Sequence, residues 1–211
     1  MDSRAINIYF ECLAKYLLES FMSDDYHDLT LSDAPDLRMG DSIGIEVTRA
    51  ITQEEGQASG IFEHIKNHNI KDIDKRYRDT IDKNNFQLVV KDDTIIGYGP
   101  QEAIWVNDQL LKSVFIKKLK KISNYNVGII DLFIFSPGDD WFEEDVVSGF
   151  LNWAIENGGS QFRRIIVYEY SYLYIIETAN TKITKIIIDR DKSRQCASNA
   201  KSFALSHGTD V

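Results

Sequence analysis

The sequence predicts an α/β protein with a central mixed sheet flanked by helices, and three observations carry that prediction. Segments of strand periodicity and segments of helical periodicity interleave along the 211 residues, a mixture that is stable when helices cover the faces of a sheet. The run "VGIIDLFIF" (127–135) is apolar almost throughout, as a central strand covered on both faces must be. In "SIGIEVT" (42–48) apolar and polar residues alternate strictly. Ile43, Ile45 and Val47 face one way and Glu46 and Thr48 the other, the pattern of a strand with one face on a core.

The remaining elements follow in chain order. A helix is expected from about Arg4 to Met22, apolar nearly all round through Ile6, Ile8, Phe10, Leu13, Leu17, Leu18 and Phe21 and therefore largely buried. "DLRM" (36–39) is a short strand joined to the alternating one through a Gly40-Asp41 turn. Residues 50–67 have weak helical character, with Gly56 and Gly60 four apart. "FQLVVKDDTIIGYG" (86–99) predicts a hairpin turning at Asp92-Asp93. Pro100 stands where a helix accepts proline, and that helix is expected to run to about Ser123. After the central strand, "SPGDDWFEED" supplies an N-cap and first-turn acids for a helix through Glu156. "RRIIVYEY", "YLYIIE" and "ITKIIIDR" are three further strands, and a last helix starts near Lys192. Only three prolines and no low-complexity tract occur, so residues 1–211 are taken as a single domain with a hairpin insertion near 86–98.

Composition narrows the function classes. No apolar run is long enough to span a membrane, and Glu11, Lys15 and Glu19 break up the first helix where a signal peptide would be uninterrupted. No membrane partner and a cytoplasmic location are the expectation. Cys12 and Cys196 fit neither a zinc knuckle nor a disulfide framework. The net charge of −9 opposes strong binding to nucleic acid, which rests on phosphate neutralisation by Lys and Arg. The charge is uneven, however. Residues 1–100 hold 19 acids and 11 bases, residues 101–211 hold 14 and 13, and five lysines without an acid lie between Gln109 and Tyr125.

The chemistry centres on two carboxylates. Folding "DLRM" against "GIEVT" brings Asp36 and Glu46 to one side of a sheet. Magnesium and similar hard cations take oxygen ligands, commonly one or two carboxylates with water and phosphate. Asp36, Glu46 and the backbone carbonyl of Val47 form such a donor set, for Mg2+ or for Mn2+ in its place. "PDL" followed by "GIEVT" resembles the PD-(D/E)XK nuclease superfamily, the restriction-endonuclease-like fold. The resemblance covers about residues 4–60, with "KKLKKISNY…IDLFIF" as a continuation of the fold core. It implies metal-dependent hydrolysis of DNA phosphodiester bonds, with Asp36 and Glu46 as metal ligands. It also implies an acid on the preceding helix, best matched by Glu11, and a glutamine on the following helix, best matched by Gln57.

One position departs from the family pattern. Thr48 stands where the motif has its lysine, and Arg49 points to the opposite face. Lys118 offers a replacement. Leu111, Val114, Phe115, Leu119 and Ile122 form an apolar stripe at helical spacing, and Lys118 falls inside it. An inward lysine there could deliver the ammonium; its plain alternative is to snorkel at the core edge. Glu11 has a plain alternative too, a surface ladder with Lys15 and Glu19.

Other features point less sharply. His64 and His68 have zinc-binding spacing but no third ligand, so a polar helix face is the reading. Asp131 either caps a buried polar cluster or reaches the metal site. Tyr168, Tyr170, Tyr172 and Tyr174 could stack on bases, or pack a sheet face as such aromatics commonly do. Two functions therefore stand: a magnesium-dependent DNA nuclease, or a catalytically silent nuclease-like binding or assembly module. DNA is the expected partner of the first, and a homodimer or a partner subunit is compatible with either.

Overall fold

A computed structural model describes residues 3–101, 108–136 and 144–207, and the chain divides into two compact units. The larger holds residues 7–50, 108–136 and 144–207; the smaller holds 3–6 and 51–101.

The larger unit is α/β, with seven strands in one mixed sheet flanked by helices. Helix α1 spans Ser3–Phe21, followed by strands β1 (Thr30–Leu31), β2 (Leu37–Met39) and β3 (Ile43–Arg49). Helix α4 (Gln109–Leu119), strand β6 (Ile129–Phe135) and helix α5 (Glu144–Glu156) come after the smaller unit's elements. Strands β7 (Arg164–Glu169), β8 (Tyr172–Glu177) and β9 (Lys182–Ile187) and helix α6 (Arg190–His207) complete it. The spatial order is β1-β2-β3-β6-β7-β8-β9, with β6 parallel to β3 and β7 and every other pairing antiparallel. Strand β6 is thus central, and from Ile130 to Phe135 it is buried without a break. Apolar side chains on both faces are what a parallel strand between two helical layers requires.

Each face has its own core. Ile45, Val47, Phe133 and Ile166 pack with Leu13, Leu17 and Leu18 of α1 and with Cys196 and Ala200 of α6. Leu132, Ile134, Ile165 and Val167 pack with Leu111 and Phe115 of α4 and with Phe150 and Leu151 of α5. The second layer corrects one expectation. The alternation in β3 sorts residues to the two faces as expected, but Gly44 and Glu46 are buried as well as Ile45 and Val47. Alternation reports which side a residue takes, not whether water is there.

Asp131 resolves as a structural residue. It is fully buried, and its carboxylate accepts from the Tyr26 hydroxyl at 2.7 Å, from Arg163 Nε at 3.0 Å and from the Arg164 backbone N–H at 3.0 Å. A buried carboxylate so fully satisfied has no capacity left for a metal. The tyrosines pack the sheet: Tyr168 lies against Phe133 and Phe135 on one face, while Tyr172 and Tyr174 join the core of the other.

The smaller unit carries α2 (Gln53–Ile65), α3 (Lys75–Lys83) and an antiparallel hairpin of β4 (Phe86–Lys91) and β5 (Thr94–Pro100). Thr52 caps α2 by accepting the Glu55 N–H. The hairpin turns where expected, with positive φ at Asp92 (49°) and Asp93 (60°), the conformation a two-residue turn needs to follow strand twist. Its core is Ala58, Ile65, Ile81, Phe86 and Ile95. Pro100 ends β5, paired with Phe86, rather than opening a helix. Its missing N–H does no harm at the end of a two-stranded ladder. The N-cap segment expected before α5 lies outside the described residues at 137–143. No helix of the described residues is long and apolar enough to cross a membrane.

Gly44 fixes how close the hairpin arms come. A Cβ there would lie 2.2 Å from Pro35 Cγ and within 3.2 Å of Val127 and Ile130 side-chain atoms. Gly44→Ala should therefore destabilise the protein by about 1–3 kcal/mol through overpacking. Gly60→Ala, where the added methyl meets nothing within 4 Å, should leave stability unchanged or raise it by up to ~1 kcal/mol. Urea unfolding of both variants checks the contrast, and equal effects would contradict it.

Candidate functional site

Strand β2 is shorter than β3, and the site follows from that mismatch. The register pairs Leu37 with Ile45 and stops there, so beyond Ile45 the β2 side of β3 has no strand to satisfy it. Buried backbone polar groups must nevertheless find partners. The Val47 N–H donates to Asp36 Oδ2 at 2.7 Å, and the Val47 carbonyl accepts from Lys118 Nζ at 2.9 Å. One residue's backbone thus ties an acid from before β2 to a base from α4.

Glu46 completes the group. It projects from the opposite face to Ile45, toward α4, and only 3 % of it is exposed. Lys118 Nζ donates to Glu46 Oε1 and stands 3.7 Å from Asp36 Oδ2. Its side chain is 12 % exposed, as its place within the apolar stripe of α4 predicts. Buried carboxylates are tolerated only when paired, and Lys118 is the pairing cation. Asp36, Glu46, Val47 and Lys118 therefore meet at one point.

Glu11 belongs to the same field. Burial, together with the charges of Asp36, Glu46 and Asp33, pushes its carboxyl up to about 7, and the Lys118 ammonium only partly offsets this. Lys15 meanwhile pairs with Glu19 at 2.6 Å, so the surface-ladder reading holds for those two while Glu11 turns to the acidic cluster. Asp36 is likewise raised, by burial first and then by Glu46, against the pull of Lys118, the Val47 N–H and Lys121. Carboxyls shifted upward in a shared site are expensive to keep, which is why such shifts concentrate at functional sites.

Two contributors were not singled out from the sequence. Burial, with the Glu46 and Asp36 carboxylates nearby, pushes the Tyr125 hydroxyl pKa up. Lys121 is exposed, and its charge reaches Asp36. The signal for both was only that they follow Lys118 by a few residues, on a helix end that turns back to the sheet. Gln57 stands on α2 in the smaller unit, where its Oε1 accepts from Asn84 Nδ2 at 3.1 Å. Thr48 occupies the strand position after Val47 and carries no charge. Arg49 lies with its guanidinium 4.4 Å from the Phe10 ring centre, on the α1 face.

The chemistry of the donor set can be stated. Asp36 Oδ2, Glu46 Oε1 and the Val47 carbonyl are hard oxygen donors gathered around a single positive charge, and a magnesium-type cation takes such donors with water completing its shell. Among the described residues no group of three or more His, Cys, Asp or Glu is arranged to hold a metal ion. Comparison with protein-family models, with curated proteins and with solved structures found no match.

The raised carboxyl of Glu11 has a consequence for stability. Below its ordinary value of 4.5 the group is protonated both folded and unfolded and contributes nothing. Between 4.5 and about 7 the unfolded chain ionises first, so stability falls as pH rises, and above 7 the full cost is present. Glu11→Gln in the presence of chelator should thus raise the melting temperature at pH 8 and leave it unchanged at pH 4. Discounted for partial exposure, the gain is about 1 kcal/mol, or roughly 2–4 °C. A gain of the same size at pH 4, or a loss at pH 8, would refute the clustering of charge around Glu11.

Proposed function

We propose that the chain is a magnesium-dependent nuclease that hydrolyses DNA phosphodiester bonds, a variant of the PD-(D/E)XK type with its lysine moved from β3 to α4. One observation carries this reading: Asp36, Glu46 and the Val47 carbonyl converge on the ammonium of Lys118. That convergence joins the acid pair of the motif to a lysine able to replace the residue missing at Thr48. The mixed sheet flanked by helices, with Glu46 on β3 and Asp36 just ahead of β2, is compatible with the restriction-endonuclease-like fold.

The roles follow from the chemistry of each group. Asp36, Glu46 and Val47 would hold a magnesium ion, which when bound supplies positive charge against the phosphate and acidifies water. Lys118 orients a water or a phosphate oxygen through its ammonium. Glu11, with a carboxyl near 7, is matched to taking or giving a proton at neutral pH. Lys121, with the exposed Lys117 and Lys120, offers a local positive edge for a polyanion despite the net charge of −9. That net charge leaves DNA affinity weak and steeply salt-dependent, so a partner subunit or second copy would add to it.

A second reading has its own support. The Lys118 ammonium already pairs with both acids, and Thr48 leaves β3 without a motif lysine, so a catalytically silent binding or assembly module would need no metal at all.

Two measurements separate these readings. Calorimetric titration should show Mn2+ or Mg2+ binding in the wild type and its loss in Asp36→Ala and Glu46→Ala, each checked for folding; undiminished binding in both variants would remove the metal assignment. Single-turnover cleavage of DNA at saturating magnesium should fall by about 10²–10⁴ in Lys118→Met and change little in Lys117→Met. Equal losses would reduce both lysines to phosphate attraction, and negligible cleavage by the wild type would favour the silent module.

A further inference from the structure

We propose that the oxygens of Asp36, Glu46 and Val47 form a cation site with two mutually exclusive occupants, the Lys118 ammonium and a divalent metal ion, so that metal loading expels the lysine. This rests on the metal reading above and adds what that reading leaves open, namely what fills the site before the metal does.

The geometry carries it. Lys118 Nζ donates to Glu46 Oε1, lies 2.9 Å from the Val47 carbonyl and 3.7 Å from Asp36 Oδ2. These are the same three oxygens that the metal would take, and the ammonium stands on them rather than beside them. Two positive charges sharing one set of oxygens would repel strongly in so little water. Lys118 must therefore leave the Val47 carbonyl and Glu46 for a metal to enter.

Departure is confined to the side chain. Leu111 and Phe115 of α4 are fully buried in the core beneath it, so the helix is held while the four-carbon stem of the lysine can swing. Without any cation the acids of the cluster would be left buried and unpaired, a state that costs more than either occupied one. The lysine thus keeps the metal-free chain folded and at the same time weakens metal binding, because only the lysine-withdrawn fraction is competent to bind.

The experiment titrates Mn2+ alone into the full chain and reads affinity and lysine reactivity. With the open form populated at roughly 1–10 %, Lys118→Met should bind Mn2+ about 10–100-fold more tightly than the wild type, even as its cleavage rate falls. In the wild type, acylation of Lys118 by an amine-reactive ester, followed by mass spectrometry, should speed up when Mn2+ is added, with the exposed Lys117 as an unchanging reference. This second readout decides the matter if Lys118→Met fails to fold. Equal or weaker Mn2+ affinity in a folded Lys118→Met, or Lys118 acylation unchanged by Mn2+ that binds, overturns the exclusive occupancy while leaving the metal assignment intact. Mn2+ binding that survives Asp36→Ala and Glu46→Ala, or is absent from the wild type, overturns the metal assignment and this inference together.

Discussion

Two carboxylates held together beside β3, Glu46 buried and Asp36 partly so, cannot share a site without a cation, and the arrangement around β3 answers that constraint. Taking one charge out of water is costly, and taking two of like sign into the same pocket is more so. The chain supplies Lys118 from α4 to meet Asp36 and Glu46. Much else depends on this contact. Helix α4 must lie against the Glu46 face of β3, which requires Leu111 and Phe115 in the core below it. The hairpin must hold Asp36 against the Val47 N–H, which requires glycine at position 44 beneath Pro35.

The acids bring no advantage in stability. Replacing paired buried charges with apolar side chains of similar size is often neutral or stabilising, and Glu11 and Asp36 are both pushed toward the protonated form. Asp131 makes the comparison within the same molecule: it is as deeply buried, but every oxygen is satisfied by Tyr26, Arg163 and Arg164, and it braces the β6–β7 edge. One buried acid is closed by its own hydrogen bonds, whereas Glu46 and Asp36 rest on one lysine ammonium.

Much of the fold was legible because its signals are local and periodic. The buried first helix, the central strand and the Asp92-Asp93 turn each rest on spacing or on one steric demand, and the structure has all three. Lys118 was legible for the same reason, since a lysine inside an apolar stripe needs a partner. What escaped depends on distant parts of the chain. Helix α3 buries only Ile81, so no stripe announces it. Pro100 fits a strand end or a helix start equally well, and only its pairing with Phe86 decides. The second buried face of β3 required knowing that α4 covers it. Tyr125 reaches Glu46 through a turn after α4, which no periodicity encodes. Gln57 was assigned by motif position alone, and it bonds Asn84 within the smaller unit.

Asp36, Glu46 and the Val47 carbonyl are the proposed divalent-cation site. Anomalous diffraction from a crystal equilibrated with Mn2+ tests it most directly. A single strong peak is expected about 2.1 Å from oxygens of all three residues, with the Lys118 ammonium moved off Glu46 and Val47. A peak elsewhere, or none while Lys118 still bridges Glu46 and Val47, would contradict it.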